Sequence, residues 1–283
     1  MLKLRSTGRG TNFSVLRGAV EWVQERVYAG GWPARVLDRF PAATRVDLIE
    51  HDVDVGAGGT PLRLAFASDL HIGPLTPPRL LDNAFRLLID AAPDVLVLGG
   101  DYVFLEATPA MARELEMRVA EVPARTKVAV MGNHDLWTRH GLIEDALARA
   151  GCRVLVNDAV RLPPPHDRFG IVGIDEPWTG QVDSDRAFAA TDAPIKIAVS
   201  HAPEGFPFIE GRGASLMLCG HTHGGQIALP SGPVVVHGPL GRRWPSGLHR
   251  VGDMQLFVSR GLGIVDIPLR ANATPDVALF TLR

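Results

Sequence analysis

Cysteine is scarce. The 283-residue chain has two, Cys152 and Cys219, and neither belongs to a C-x-x-C pair. That excludes a disulfide framework and suits a reducing compartment. Long apolar runs are missing as well. No stretch approaches the ~18 residues of a spanning helix. Arg17, Glu21, Glu25 and Arg26 interrupt every candidate secretory core near the N-terminus. The expected location is the cytoplasm, with peripheral contact at the inner face of the membrane left open. Neither sign of charge dominates. The net charge is −2, so no global basic field announces long nucleic acid as a partner. Repeats, low-complexity tracts and internal linkers are absent. What remains is ordinary globular composition, 46% hydrophobic and 21% charged, on a chain long enough for one large α/β domain or two small ones.

Residues 1–13 carry Lys3, Arg5 and Arg9 among glycine, serine and threonine, with no acid. They read as a flexible basic arm. Residues 14–29 read as a helix ended by Gly30-Gly31 and Pro33. Val15, Leu16, Ala19, Val20, Trp22, Val23 and Val27 fall on one face, and Arg17, Glu21, Gln24 and Glu25 on the other. One reading docks this helix on the body of the protein. The other lays it on a membrane surface, but a polar face mixing Glu with Arg favours docking. From residue 44, strand and helix signals alternate through LRLAFA, PRLLDNAFRLLIDAA, DVLVLG, PAMARELEMRVAEV, KVAVM and LIEDALARAG. That pattern signals a parallel-type sheet covered by helices. After residue 152 strands dominate: CRVLVND, AVRLPPP, RFGIVGID, IKIAV, SLMLC, PSGPVVVHG, DMQLFV and DVALFTLR. Two packed sheets with helices outside are expected. Residues 44–283 form one catalytic domain, preceded by an extension over 1–43.

Five fragments end in metal-ligand residue types just after buried-strand signals. They are Asp69-Leu70-His71, Gly100-Asp101, Gly132-Asn133-His134-Asp135, Ser200-His201 and Gly220-His221-Thr222-His223. Each alone is more often a turn or a satisfied polar group. Their order strings carboxylates, a carboxamide and imidazoles along strand ends, where the crevice of an open α/β sheet lies. Gly100, Gly132 and Gly220 give the backbone freedom to turn and approach closely. Such an N/O set suits a pair of divalent transition metals: Mn, Fe, Zn, Co or Ni. Two adjacent dications suit phosphoryl chemistry, because they hold both the attacking and the leaving oxygen. Cys219 precedes one fragment and reads as a buried small hydrophobe in preference to a ligand.

These fragments resemble the signature of the calcineurin-like metallophosphoesterase superfamily, over roughly residues 62–225. GHTHGGQI at 220–227 and SRGLGIVDIPLRANATPDVALFTL at 259–282 resemble a bacterial subgroup. It includes membrane-associated phosphodiesterases and a type of UDP-2,3-diacylglucosamine pyrophosphatase. The resemblance implies a four-layer α/β/β/α sandwich. It implies that one ion takes Asp69, His71 and His223, the other Asn133, His201 and His221, and that Asp101 bridges them. His134 would then face the scissile phosphate, with Asp135 fixing its orientation.

Protein serine/threonine phosphatases of this superfamily read GDxxDRG, whereas this chain reads GDYVFLE. Phe104 stands at their second Asp and Leu105 at their phosphate-gripping Arg. A diester or pyrophosphate substrate is favoured over a monoester. Within that class, a lipid-linked molecule such as UDP-2,3-diacylglucosamine comes first and a nucleotide or general phosphodiester second. A non-catalytic binding module on the same fold would have lost ligands, and here none is missing. Arg242, Arg243 and Trp244, in the stretch after the last fragment, read either as an ordinary surface loop or as a substrate-facing lid. His51, His140 and His166 read as surface histidines.

Overall fold

The protein is described here by a computed structural model of residues 5–283; Lys3 lies outside the described residues. Two helices come first, α1 (Val15–Val27) and α2 (Trp32–Leu37). Alternation follows: β1 (Asp47–Val53), β2 (Leu62–Ala67), α3 (Pro78–Ala91), β3 (Val95–Leu98), α4 (Pro109–Glu121), β4 (Thr126–Ala129), α5 (Asn133–Trp137), α6 (His140–Arg149) and β5 (Cys152–Val154). The second half holds β6 (Asp158–Arg161), β7 (Phe169–Gly173), α7 (Ser184–Ala189), β8 (Ile195–Val199), α8 (Phe206–Ile209) and β9 (Ala214–Cys219). Last come β10 (Ala228–Leu229), β11 (Gly232–Pro233), α9 (Pro239–Arg243), β12 (Gly247–Val251), β13 (Met254–Val258) and β14 (Asp276–Leu282).

These strands make two six-stranded mixed sheets, ordered β1-β14-β2-β3-β4-β5 and β12-β13-β9-β8-β7-β6. In the first, β2, β3, β4 and β5 run parallel, and β14 is antiparallel to β2. In the second, β7, β8, β9 and β13 run parallel between antiparallel edges. Period-two alternation explains why the sheets stack. Val95 and Val97 of β3 meet Ile195 and Ile197 of β8 in the core between the sheets. Leu96 and Leu98 point the other way, onto Leu81 and Phe85 of α3, Leu115 of α4 and Leu147 of α6. Met217 of β9 likewise faces outward onto Phe206 and Ile209 of α8. Both faces of these strands are dry, which is why they read as unbroken apolar runs. Each large side chain so buried contributes roughly 1.5–3 kcal/mol. The result is the expected α/β/β/α sandwich.

Several local expectations give way. The segment PSGPVVVHG forms no proper strand, only the two-residue pairing of β10 with β11. GLHRV, which shows no strand signal, is the half-exposed edge strand β12, whose burial is too even to show a period. Both late and early pieces cross between halves: β5 and β14 belong to the first sheet. His166 is buried, with Nε2 3.5 Å from Asp94 Oδ2. His51 is half-buried, stacked 5.1 Å from the Phe280 ring.

The described part of the basic arm is pinned along the body instead of flexible. The Thr7 and Gly10 amides donate to the carbonyls of Trp137 and Leu136, and Thr11 donates to Thr179. Arg9 forms a two-pronged pair with buried Asp175 at 2.7 and 2.8 Å. Helix α1, N-capped by Ser14, docks as the sequence favours, but by the opposite face. Gly18, Glu21 and Gln24 are buried, whereas Leu16 is 76% and Val23 49% exposed. Hydrogen bonds explain the inversion, because Gln24 Nε2 and Tyr28 Oη donate to Asp266.

Replacing Arg9 leaves the Asp175 carboxylate only the amides of Glu176 and Gln181. Arg9→Ala is expected to lower the unfolding free energy by about 1 kcal/mol, since the arginine is partly exposed. Urea titration would report it as a lower midpoint with an unchanged slope.

Candidate metal centre

The parallel strands of both sheets end on one side of the molecule, and the five fragments begin there. Asp69 and His71 follow β2, Asp101 follows β3, and Asn133 opens α5 after β4. His201 follows β8, and His221 and His223 follow β9. The ligand atoms fall into two groups, Asp69/His71/His223 and Asp101/His201/His221, each within 4.8 Å internally. In the first, His71 Nε2 lies 3.1 Å from His223 Nε2, which is 3.4 Å from Asp69 Oδ1. In the second, His201 Nε2 lies 3.1 Å from His221 Nδ1 and 3.2 Å from Asn133 Oδ1. Asp101 Oδ2 stands between the groups, 3.3 Å from His201 Nε2 and 3.7 Å from His71 Nε2.

The backbone is bent hard to bring these atoms together. Asp69, His71, Asp101, His221 and His223 all sit in the left-handed region, with φ between 43° and 69°. Non-glycine residues seldom do so, and functional sites are where such strain collects. Gly132 removes the last obstacle, because a Cβ there would stand 2.1 Å from Asp101 Oδ1.

Hydrogen bonds orient each group. His201 Nδ1 donates to the Gly99 carbonyl at 2.8 Å, which turns Nε2 inward. The Asp69 carboxylate accepts from the His221 amide, and Asp101 Oδ1 accepts from the His134 amide at 2.9 Å. Asp135 departs from its expected place behind the His134 ring. Its carboxylate accepts from the amides of Asp101, Tyr102 and Gly132 at 2.8–2.9 Å, and so locks the loops after β3 and β4 together. The far nitrogen of His223 accepts from half-buried Arg270 at 2.8 Å.

Burial lowers His71 to about 4 and His221 to about 3, so both present lone pairs at neutral pH. Burial opposes a charge on His201 too, but Asp101 and Asp69 raise it to about 10. Asp101 stays well below the usual range although burial pushes it up, because His201, His134 and His71 surround it. Imidazole nitrogens 3.1 Å apart, closed in with two anionic carboxylates, fit a cation between them. The donor set is nitrogen and oxygen only. Cys219 is fully buried with Sγ on the Phe257 carbonyl, 3.4 Å away, and its thiol is pushed well up by burial.

A cleft of about 520 Å³ opens above both groups. Trp178 packs edge-on against His221 and Trp137 against His134, with ring centroids 4.8 and 5.5 Å apart. Ile227, Val234, Val235 and Ile267 continue the wall, and Arg17 and His237 also line it. Arg242, Arg243 and Trp244 do not line it. Trp244 drops into the core behind the second sheet, 5.2 Å from the Phe206 ring, and Arg243 covers its outer face. An indole that finds an apolar pocket is drawn from the mouth. Arg17, Trp137, Trp178 and Arg270 carry no sequence signal of a role here, since each sits outside the ligand fragments.

Two mixed sheets with paired His/Asp groups at their shared strand ends define a binuclear metallohydrolase. The chain belongs to the calcineurin-like phosphoesterase family, whose pattern it matches over residues 62–225. It is similar to phosphodiesterase YaeI of Escherichia coli (strain K12), with 31% identity over 78% of this chain and 82% of that protein. A more distant likeness, 25% identity over 60% of this chain and 65% of that protein, is to the UDP-2,3-diacylglucosamine pyrophosphatase LpxG of Chlamydia trachomatis. The solved structure of TT1561 from Thermus thermophilus shares the fold, at TM-score 0.50 and 15% identity over 72% of this chain and 91% of that one. The chain is a metal-dependent phosphoesterase.

The close contact at Gly132 is directly testable. Gly132→Ala is expected to displace the Asp101 carboxylate, lowering stability by about 1–3 kcal/mol. Bound metal per chain, measured by elemental analysis, should fall along with it.

Proposed function

We propose that this phosphoesterase cleaves a phosphodiester or pyrophosphate bond in a substrate that carries a lipid-like part. The observation that carries the reading is the cleft mouth. Val234, Val235 and Ile267 are 54%, 60% and 47% exposed on the wall of the cleft above the metal-ligand groups. Exposed aliphatic side chains around a phosphate site suit a molecule with an apolar tail. The relative named for a diacylated sugar nucleotide points the same way. The segment Phe104-Leu105 supports a diester or pyrophosphate over a monoester. Both side chains are buried in an apolar cluster with Leu75 and Ile264, so no cation from this segment meets a terminal phosphate oxygen.

In this reading Asp69, His71 and His223 hold one ion, and Asn133, His201 and His221 the other. Asp101, within 3.7 Å of a nitrogen from each set, serves both. Bound ions of Mn, Fe or Zn type would supply a hydroxide-like nucleophile from water near neutral pH and offset phosphate charge. His134 belongs to neither group and lines the cleft. It faces the phosphate and stabilises or protonates the leaving oxygen. Asp135 acts through the loops it ties. Residues 44–283 form the catalytic domain and 1–43 an extension, of which the described part, 5–43, lies against it.

The outward face of α1 favours peripheral membrane contact as well. Val15, Leu16, Val23 and Val27 are all about half exposed or more, and Trp32 and Phe40 continue the apolar surface. Among the described residues no helix is long and apolar enough to cross a membrane, so contact would be interfacial.

His134→Ala is expected to keep both metals yet lower kcat by about 10²–10⁴, less with good leaving groups. Metal loss in that variant would make His134 a ligand instead. The substrate reading is tested by comparing UDP-diacylglucosamine, a chromogenic diester, its monoester and cyclic nucleotides, with manganese added. Liposome co-sedimentation of the wild type and a Leu16→Ser/Val23→Ser variant tests the surface, whose docked polar face the changes leave alone. Rapid turnover of cyclic nucleotides, with no liposome binding, would put a nucleotide diester in place of the lipid-linked one.

A further inference from the structure

Helix α1 turns its polar side to the body, and one residue of that side reaches the cleft. Arg17 lines the cavity, and its side chain is 19% exposed. Its Nε donates to Glu21 Oε1 at 3.0 Å, and Nη1 donates to Asp266 Oδ1 at 3.1 Å. Asp266 is itself fixed by Gln24 Nε2 at 3.1 Å. The guanidinium carbon lies 5.5 Å from the Trp137 ring. Nη2 then lies beside the catalytic imidazole, 3.4 Å from His134 Nδ1. Two carboxylates and an indole thus hold a long side chain in one pose, with its Nη2 edge beside His134 on the cleft wall.

Docking alone does not need this arrangement. Gln24 and Tyr28 already tie α1 to the Asp266 loop. Tyr28 and Leu37 also pack on the cluster containing Phe104 and Leu105. The extension therefore covers the apolar segment after Asp101 while carrying a cation of its own to the same place. An arginine whose fork is pre-positioned binds phosphate oxygens at little further entropic cost.

We infer that Arg17 is a substrate-binding residue, and that its Nη2 edge donates to a phosphate oxygen of the bound diester or pyrophosphate. The N-terminal helix is then part of the active site. This rests on the reading of the cleft as the site of phosphate-ester cleavage.

The test compares Arg17→Ala and Arg17→Lys with Tyr28→Phe in the full chain with two metals bound. KM and kcat are measured on bis(p-nitrophenyl) phosphate, the affinity for inorganic phosphate by calorimetry, and Tm by a thermal scan. Arg17→Ala is expected to raise KM and weaken phosphate binding about 10–100-fold, as loss of one charge-assisted hydrogen bond implies. Arg17→Lys should recover only part, because one ammonium cannot engage two carboxylates and a phosphate together. Tyr28→Phe should lower Tm but leave KM and phosphate affinity within about threefold. Unchanged phosphate affinity in Arg17→Ala would overturn the assignment. So would an equal loss in the Tyr28 variant, which would make Arg17 an anchor of the helix only. A wild type that holds two metals but cleaves no diester would sink the proposed reaction instead, and phosphate affinity would still decide the case of Arg17.

Discussion

The centre depends on a carboxylate that lies outside both metal-type groups. Asp135 accepts from the amides of Asp101, Tyr102 and Gly132, and more weakly from Val103. Burial, with Asp101 beside it, pushes Asp135 up to about 8, and each of these hydrogen bonds is worth about 0.5–1.5 kcal/mol. Together they fasten the loop after β3 to the loop after β4. Asp101 and Asn133 meet the histidines of the second sheet only because those two loops are in register. The carboxylate works on backbone, so its effect reaches every residue the two loops carry.

That clamp opposes a real cost. Five residues of the centre hold left-handed backbone, at of order 1–3 kcal/mol each. The sum rivals the roughly 5–15 kcal/mol net stability of a typical domain. It is tolerated because the strands beneath are dry on both faces and leave the loops little room to relax. A rigid two-sheet base and a strained rim are therefore one design. The neutral forms of His71 and His221 follow from the same burial, which leaves these two imidazoles ready for cations and poor at holding protons.

Much of this was legible in the sequence, and for a local reason. Each ligand fragment directly follows the strand that positions it, so linear order mirrors spatial order. The sandwich was legible too, because strands buried on both sides read as solid apolar runs. What the sequence concealed depends on partners far away in the chain. Trp244 read as part of a surface loop or of a lid, and neither reading could show the pocket beside Phe206 that claims it. The face α1 docks was invisible, because periodicity reports where apolar residues lie and says nothing of Asp266, some 240 positions away, waiting with hydrogen-bond acceptors. Asp135 sits next to His134 in sequence, yet the direction of its side chain is set by amides from another loop. The edge strand β12 lacked contrast between its faces.

The place of β14 has a consequence for how the protein is made. This strand, formed by residues 276–282, lies between β1 and β2 in the middle of the first sheet. During synthesis β2 therefore emerges with one edge open, and keeps it open while some two hundred further residues are added. The loop bearing Asp69 and His71 hangs from that unfinished strand. Pairings across so long a stretch of chain form slowly, and open strand edges invite the wrong neighbour. Ligands of the first group thus gain a firm footing only once β14 has left the ribosome, so assembly of the centre waits on a strand some two hundred residues downstream of β2.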